Sequence, residues 1–168
     1  WDVFKRHLRF RPLLDFRPAG KGVGDTVDLY AVIPNPILEG HYPSEADQGI
    51  SGVTATLSVP GWLKIASAGE AGEPEEPAAT AIRLGSLGSS RHRAPTPDSF
   101  AVAHWRLCVV GPPSERQPLK VAVKGEHPRL GTIEGGASVT GAGACVLAAG
   151  EERQVLVSGQ GWAEPGFG

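Results

Sequence analysis

The hydrophobic pattern is clearest between Ser99 and Val110, where apolar and polar side chains alternate. With a period of two, one face of this segment carries only apolar side chains: Ala101, Ala103, Trp105, Leu107 and Val109. A strand with one wholly apolar face needs a second layer of structure to cover it. The segment therefore predicts a central strand of a two-sheet sandwich, with Trp105 in the core.

Shorter alternating segments occur before and after this strand, and Gly- and Pro-containing turns separate them at intervals of roughly ten residues. No segment has the periodicity of an amphipathic helix. This pattern predicts an all-β fold, an Ig-like two-sheet antiparallel β-sandwich of seven to nine strands with long charged loops. The side chains expected in the core include Leu29, Leu57, Trp105, Leu107 and Val121.

Composition shifts divide the chain into a basic N-terminal strand or extension (1–22), a sandwich domain (23–159) and a Gly-rich C-terminal tail (160–168). Residues 66–80 are acidic and of low complexity, and they predict a mobile surface loop. Residues 88–98 predict a second, basic loop, and residues 126–136 are also expected to be loop-like. A further hairpin is predicted within residues 137–158.

The first 21 residues carry six basic and two acidic side chains. Leu8 and Phe10 alternate with arginines, so this segment is either the first strand of the sandwich or a strand donated to a neighbouring copy. If it is donated, the expected contacts between copies are Phe4, Leu8, Phe10, Leu13 and Trp162. The four glutamates between residues 70 and 76 offer an opposite charge that could steer head-to-tail contact.

Length and composition restrict the function classes. A chain of 168 residues holds one core, and 23 Gly and 15 Pro favour strands and turns over helices. A net charge of −2 gives no basic field for nucleic acid, and no apolar run is long enough for a transmembrane segment. The lack of Met and the single Asn fit a thermostable protein, although a GC-rich genome explains the same bias.

Candidate chemistry is sparse. Cys108 and Cys145 either form a disulfide or pack as separate buried thiols. His104 lies on the same strand face as Cys108, but at about 13 Å along a strand the two are too far apart for a nucleophilic dyad. A loop with His41, Glu45 and Asp47 offers Ca²⁺ ligands, yet solvated scattered charge explains it equally. We therefore predict no catalytic, cofactor-binding or metal-binding residue, and no cofactor.

The segments GDTVDLYAVIPNP, SGVTATLSVPGWLKI, IRLGSL and SFAVAHWRLCVV, which together span about residues 24–125, resemble the Ig-like repeats of archaeal and bacterial surface proteins of the CARDB and NEW3 type. CVLAAGEERQVLVSG is similar to another hairpin of this kind. The two long charged loops and the basic N-terminal stretch depart from that pattern. The resemblance implies an extracellular module without catalytic residues.

These observations together predict an extracellular, non-enzymatic structural subunit that self-associates into a cell-surface filament, pilus or surface layer. One alternative is a carbohydrate-binding or adhesion module of a surface protein, for which the outward-facing Tyr30 is the best candidate platform for a glycan. Another is a β-sandwich of a viral coat or tail. The predicted partners are thus other copies of the chain, or glycans in the second case.

Overall fold

The computed structural model describes residues 8–37, 49–88, 98–113 and 117–140, together with the backbone of three short strands at 144–146, 154–158 and 161–162. These residues form strands and turns, with no helix among them. The strands pair antiparallel in two sheets that pack on a shared apolar core. The prediction of an all-β Ig-like sandwich is confirmed.

The first sheet has five strands in the order β1-β2-β7-β4-β5. Their bounds are β1 Leu13–Phe16, β2 Thr26–Pro34, β4 Leu63–Glu70, β5 Glu76–Pro77 and β7 Phe100–Val109. The second sheet has seven strands in the order β12-β11-β10-β9-β8-β3-β6. Their bounds are β3 Ile50–Ser58, β6 Ala81–Leu87, β8 Leu119–His127, β9 Gly131–Val139, β10 Ala144–Val146, β11 Gln154–Ser158 and β12 Gly161–Trp162.

The strand order identifies the Ig-like character of the fold. The sequence β1-β2-β7-β4 reproduces the A-B-E-D sheet of an immunoglobulin constant domain, and β9-β8-β3 reproduces its G-F-C sheet. One departure is β6, which follows the D-position strand in the chain but pairs with β3 at the edge of the other sheet. This crossover gives the second sheet an extra strand within the connection between β4 and β7.

The core lies between the sheets, and the alternation seen in the sequence explains which side chains enter it. All five residues that the pattern assigns to the core are buried, and Trp105 is fully so. Trp105 pairs with Leu29 on one side and Ala68 on the other, which places it at the centre of the first sheet. Its indole N–H donates to the carbonyl of Thr80 at 3.2 Å.

The N-terminal segment belongs to the sandwich as far as the structure describes it. β1 pairs with β2 in register, with Leu14 opposite Ala31. Phe10 is fully buried, and its backbone N–H donates to the carbonyl of Glu134 in β9 at 3.1 Å. Residues 10–16 therefore pack within the chain's own sandwich, where Leu13–Phe16 forms the first strand. This is the first of the two alternatives that the sequence left open.

Two segments expected to be loops contain strands. Residues 66–80, predicted to be mobile, instead continue β4 to Glu70 and return through β5, which pairs with β4. Residues 126–136 hold the end of β8 and most of β9. Their Gly, Pro and Glu residues leave both segments with little apolar alternation, so the sequence pattern did not indicate strands. Backbone pairing with neighbouring strands nevertheless orders them. The hairpin predicted within 137–158 is present as β10 and β11.

Candidate functional site

The main polar cluster lies on the outer face of the first sheet. Side chains alternate across a strand, so Leu29 and Trp105 point inward while Tyr30, His104 and Arg106 point outward. The register between β2 and β7 sets Tyr30 opposite His104 and Asp28 opposite Arg106. Glu75, just before β5, reaches the same surface from the β4–β5 hairpin.

His104 is held between two carboxylates. Its Nε2 lies 2.8 Å from Oδ1 of Asp28, and its Nδ1 lies 3.2 Å from Oε1 of Glu75. Only 12 % of its side chain is exposed. Each ring nitrogen therefore lies close to a carboxylate oxygen, and these two contacts fix the orientation of the imidazole.

Two further side chains complete what we call the His104 cluster, defined as Asp28, Ser67, Glu75, His104 and Arg106. Arg106 approaches Asp28 and Glu75 at 3.7 Å each, and the Ser67 hydroxyl donates to Oε2 of Glu75 at 2.9 Å. The cluster therefore joins three strands and the hairpin across the outer face. Its partial burial makes these ion pairs less screened than ordinary surface pairs.

The cluster does not have the geometry of a nucleophilic site. A general base must face the proton that it removes, but each nitrogen of His104 faces a carboxylate. Cys108 lies farther along the same face, opposite Thr26 and Lys64, and it is a free thiol. The structure therefore contains no Cys108–Cys145 disulfide. Cys145 belongs to β10 in the other sheet, and its side chain lies outside the described residues.

A groove lies beside this cluster, between β1 and β2. It encloses about 270 Å³, and Asp15, Arg17, Lys21, Thr26, Asp28 and Tyr30 line it. Arg17 Nε donates to Oδ1 of Asp15 at 2.9 Å. Tyr30 is 37 % exposed, and its ring stacks on His104 with centroids 4.3 Å apart and planes 7° from parallel. We call this the Tyr30 groove.

A larger groove of about 940 Å³ lies on the opposite lateral side, between the β4–β5 hairpin and β6. Its charged lining consists of Glu70, Glu73, Glu76 and Arg83. Within the described residues, none of these three glutamates forms an ion pair. We call this the acidic groove. It runs along β6, which is the last strand at its end of the second sheet.

The described residues that were expected to contact other copies do not form one shared surface. Leu8 packs partly buried against the core, Phe10 is fully buried, and Leu13 is 53 % exposed on β1. Phe10 is therefore not available at the surface, because it fills the chain's own core. Phe4 and the side chain of Trp162 lie outside the described residues, as do His41, Glu45 and Asp47.

The His104 cluster was not predicted, although each of its residues was visible in the sequence. Alternation showed that His104 points outward, but its partners depend on strand register and on the fold of residues 66–80. The described residues contain no group of three or more His, Cys, Asp or Glu side chains arranged to hold a metal ion.

Comparison with known proteins adds no relationship: no protein-family model matches the chain, and no curated protein matches its sequence. The described part of the chain also contains no helix with the length and apolar character needed to cross a bilayer.

Proposed function

We propose that this chain is an extracellular, non-catalytic Ig-like module that self-associates head to tail, as a subunit of a cell-surface filament, pilus or surface layer. The observation that supports this proposal most is the position of its opposite charges. The basic N-terminal segment joins the sandwich on one lateral side, and the acidic groove lies on the other.

The basic side is fixed by Phe10. Its backbone contacts β9, so residues 8–11 lie at the β1–β9 side of the sandwich. Arg9 and Arg11 flank Phe10 there, and Lys5 and Arg6 precede them in the sequence. Residues 1–7 lie outside the described part of the chain. In this proposal, residues 1–7 and these arginines together supply the basic contact with a neighbouring copy.

The acidic side offers both charge and backbone. The three glutamates of the acidic groove face only Arg83 as an opposite charge in the groove lining. β6 pairs with β3 along one edge, and no described strand pairs with its other edge. A strand edge of this kind can accept an extended segment by β-augmentation, and the surrounding carboxylates favour a basic one.

Because the basic and acidic surfaces lie on opposite sides of the sandwich, a single neighbouring copy cannot contact both of them. A heterologous contact that does not close into a ring produces an open polymer. The geometry therefore favours chains of subunits over symmetric dimers. Electrostatic steering would set the direction of each contact.

The test uses reciprocal charge reversal. One variant carries Lys5→Glu and Arg6→Glu, and the second carries Glu70→Lys, Glu73→Lys and Glu76→Lys. Each variant alone should remain monomeric in sedimentation velocity, because its two surfaces now repel. Mixed together, the variants should form alternating polymers visible by negative-stain microscopy.

The matched control reverses two charges elsewhere. Lys120 and Lys124 are exposed on β8, and their replacement by Glu should leave polymers of the wild-type kind. A wild-type chain that stays monomeric at high concentration would refute the proposal. So would polymers that survive either charge-reversed variant alone.

A further inference from the structure

Tyr30 is a fixed aromatic surface. On β2 it lies between Asp15 of β1 and His104 of β7. Its ring stacks on the His104 side, and His104 is itself held by Asp28 and Glu75. The ring orientation is therefore set before any ligand arrives, which lowers the entropy lost on binding.

Tyr30 also lines the Tyr30 groove. The groove lies on the β1 side of Tyr30, whereas His104 covers the β7 side. Its volume of about 270 Å³ is close to the smallest typical for small-molecule sites, about 300 Å³. This size fits one sugar ring or a group of similar size better than it fits an extended peptide.

The polar lining suits a polyhydroxylated ligand. Asp15 and Asp28 offer carboxylate oxygens that accept from hydroxyls, and Arg17 retains guanidinium N–H groups beyond the Nε that bonds Asp15. An aromatic face with flanking charged hydrogen-bonding groups matches a pyranose, which has an apolar C–H face and a rim of hydroxyls.

Lys21 adds charge selectivity. The carboxylates of Asp15 and Asp28 already face Arg17, His104 and Arg106. Lys21 forms no ion pair with any residue that the structure describes, so its ammonium group is available to an anionic ligand. We propose that the Tyr30 groove binds an acidic pyranose of the uronic acid type, with the sugar ring on Tyr30 and its carboxylate at Lys21.

The experiment compares two trisaccharides of the same stereochemistry, trigalacturonate and galactotriose, by calorimetric titration of the full chain. The wild type should bind trigalacturonate at least tenfold more tightly. Tyr30→Ala should weaken both interactions by tenfold or more, whereas Tyr30→Phe should retain binding because the aromatic face remains. Lys21→Gln should remove the preference for the acidic sugar.

The control is Lys64→Gln, which removes an exposed lysine from the same sheet outside the groove and should change neither affinity. Thermal unfolding of each variant checks that Tyr30→Ala still folds. The proposal is overturned if neither trisaccharide binds, or if binding persists in folded Tyr30→Ala. The charge-reversed monomers described above should bind as the wild type does, so this result is independent of self-association.

Discussion

The two buried tryptophans of the described core differ in how their indole N–H groups are satisfied. Trp105 donates to Thr80, but Trp62 Nε1 is buried without a hydrogen-bond partner among the described residues. Trp62 packs against Phe16, with ring centroids 6.3 Å apart, so its contribution is apolar. A buried donor without an acceptor costs about 1–3 kcal/mol.

This difference predicts the response to substitution by phenylalanine. Trp62→Phe removes an unpaired donor, whereas Trp105→Phe removes a paired one and leaves the Thr80 carbonyl without that bond. We expect Trp62→Phe to be less destabilising than Trp105→Phe by about 1–3 kcal/mol, measured by urea unfolding. Equal losses would show that the indole N–H of Trp62 has a partner.

His104 makes a second prediction at the scale of single residues. His104→Gln keeps a polar side chain but loses the two ring nitrogens that contact Asp28 and Glu75. We expect a loss of roughly 0.5–1.5 kcal/mol, because these carboxylates are partly exposed. Hydrogen exchange should also rise at the Ala78 amide, which bonds the Ala66 carbonyl in the hairpin. Unchanged exchange would contradict a role for His104 in holding the hairpin.

At the scale of elements, what the sequence could predict depended on alternation. β2 and β7 have clean alternation, and their inward residues followed directly from it. β9 contains Gly131, Gly135 and Gly136, which give no apolar face, so its pairing with β8 was invisible. The His104 cluster could not be predicted from the sequence for a related reason, because no local pattern indicates that Glu75 lies beside β7.

The packing of β9 requires glycine at position 135. The Phe10 backbone passes so close to β9 that a Cβ on Gly135 would overlap the Phe10 carbonyl. We expect Gly135→Ala to destabilise the fold by several kcal/mol, because Phe10 must leave its core position. Large-to-small changes at such buried aromatic positions cost about 3–5 kcal/mol.

Gly61→Ala is the matched control for this element. A Cβ at Gly61 meets nothing within 4 Å, and thermal unfolding should therefore shift little. If Gly135→Ala is as stable as Gly61→Ala, the contact between Phe10 and β9 contributes little to the fold.

At the scale of the whole molecule, deletion of residues 1–7 and deletion of residues 1–16 should have different effects. Deleting residues 1–16 would remove Phe10, Leu14 and Phe16 from the core and unfold the domain, whatever the function of the segment. Deleting residues 1–7 should retain the thermal stability of the parent chain and abolish its polymers. Loss of cooperative unfolding in this shorter deletion would show that the segment serves the fold.

Self-association should also depend on salt, because its steering charges are exposed. The screening length falls from about 10 Å at 0.1 M to about 3 Å at 1 M. We expect polymers at low ionic strength to dissociate in 1 M NaCl while near-ultraviolet circular dichroism stays unchanged. Polymers that persist in 1 M NaCl would indicate apolar contacts instead.

The edge strands nearest the basic and acidic sides, β1 and β6, differ in how readily another strand can pair with them. β1 is four residues long, with Pro12 immediately before it and Pro18 two residues after it, and proline cannot donate a backbone hydrogen bond. β6 is seven residues long and contains no proline. Strand addition is thus disfavoured on the β1 edge and permitted on the β6 edge. A fibre built this way has a plus and a minus end, and a copy lacking residues 1–7 would act as a chain terminator at one end only.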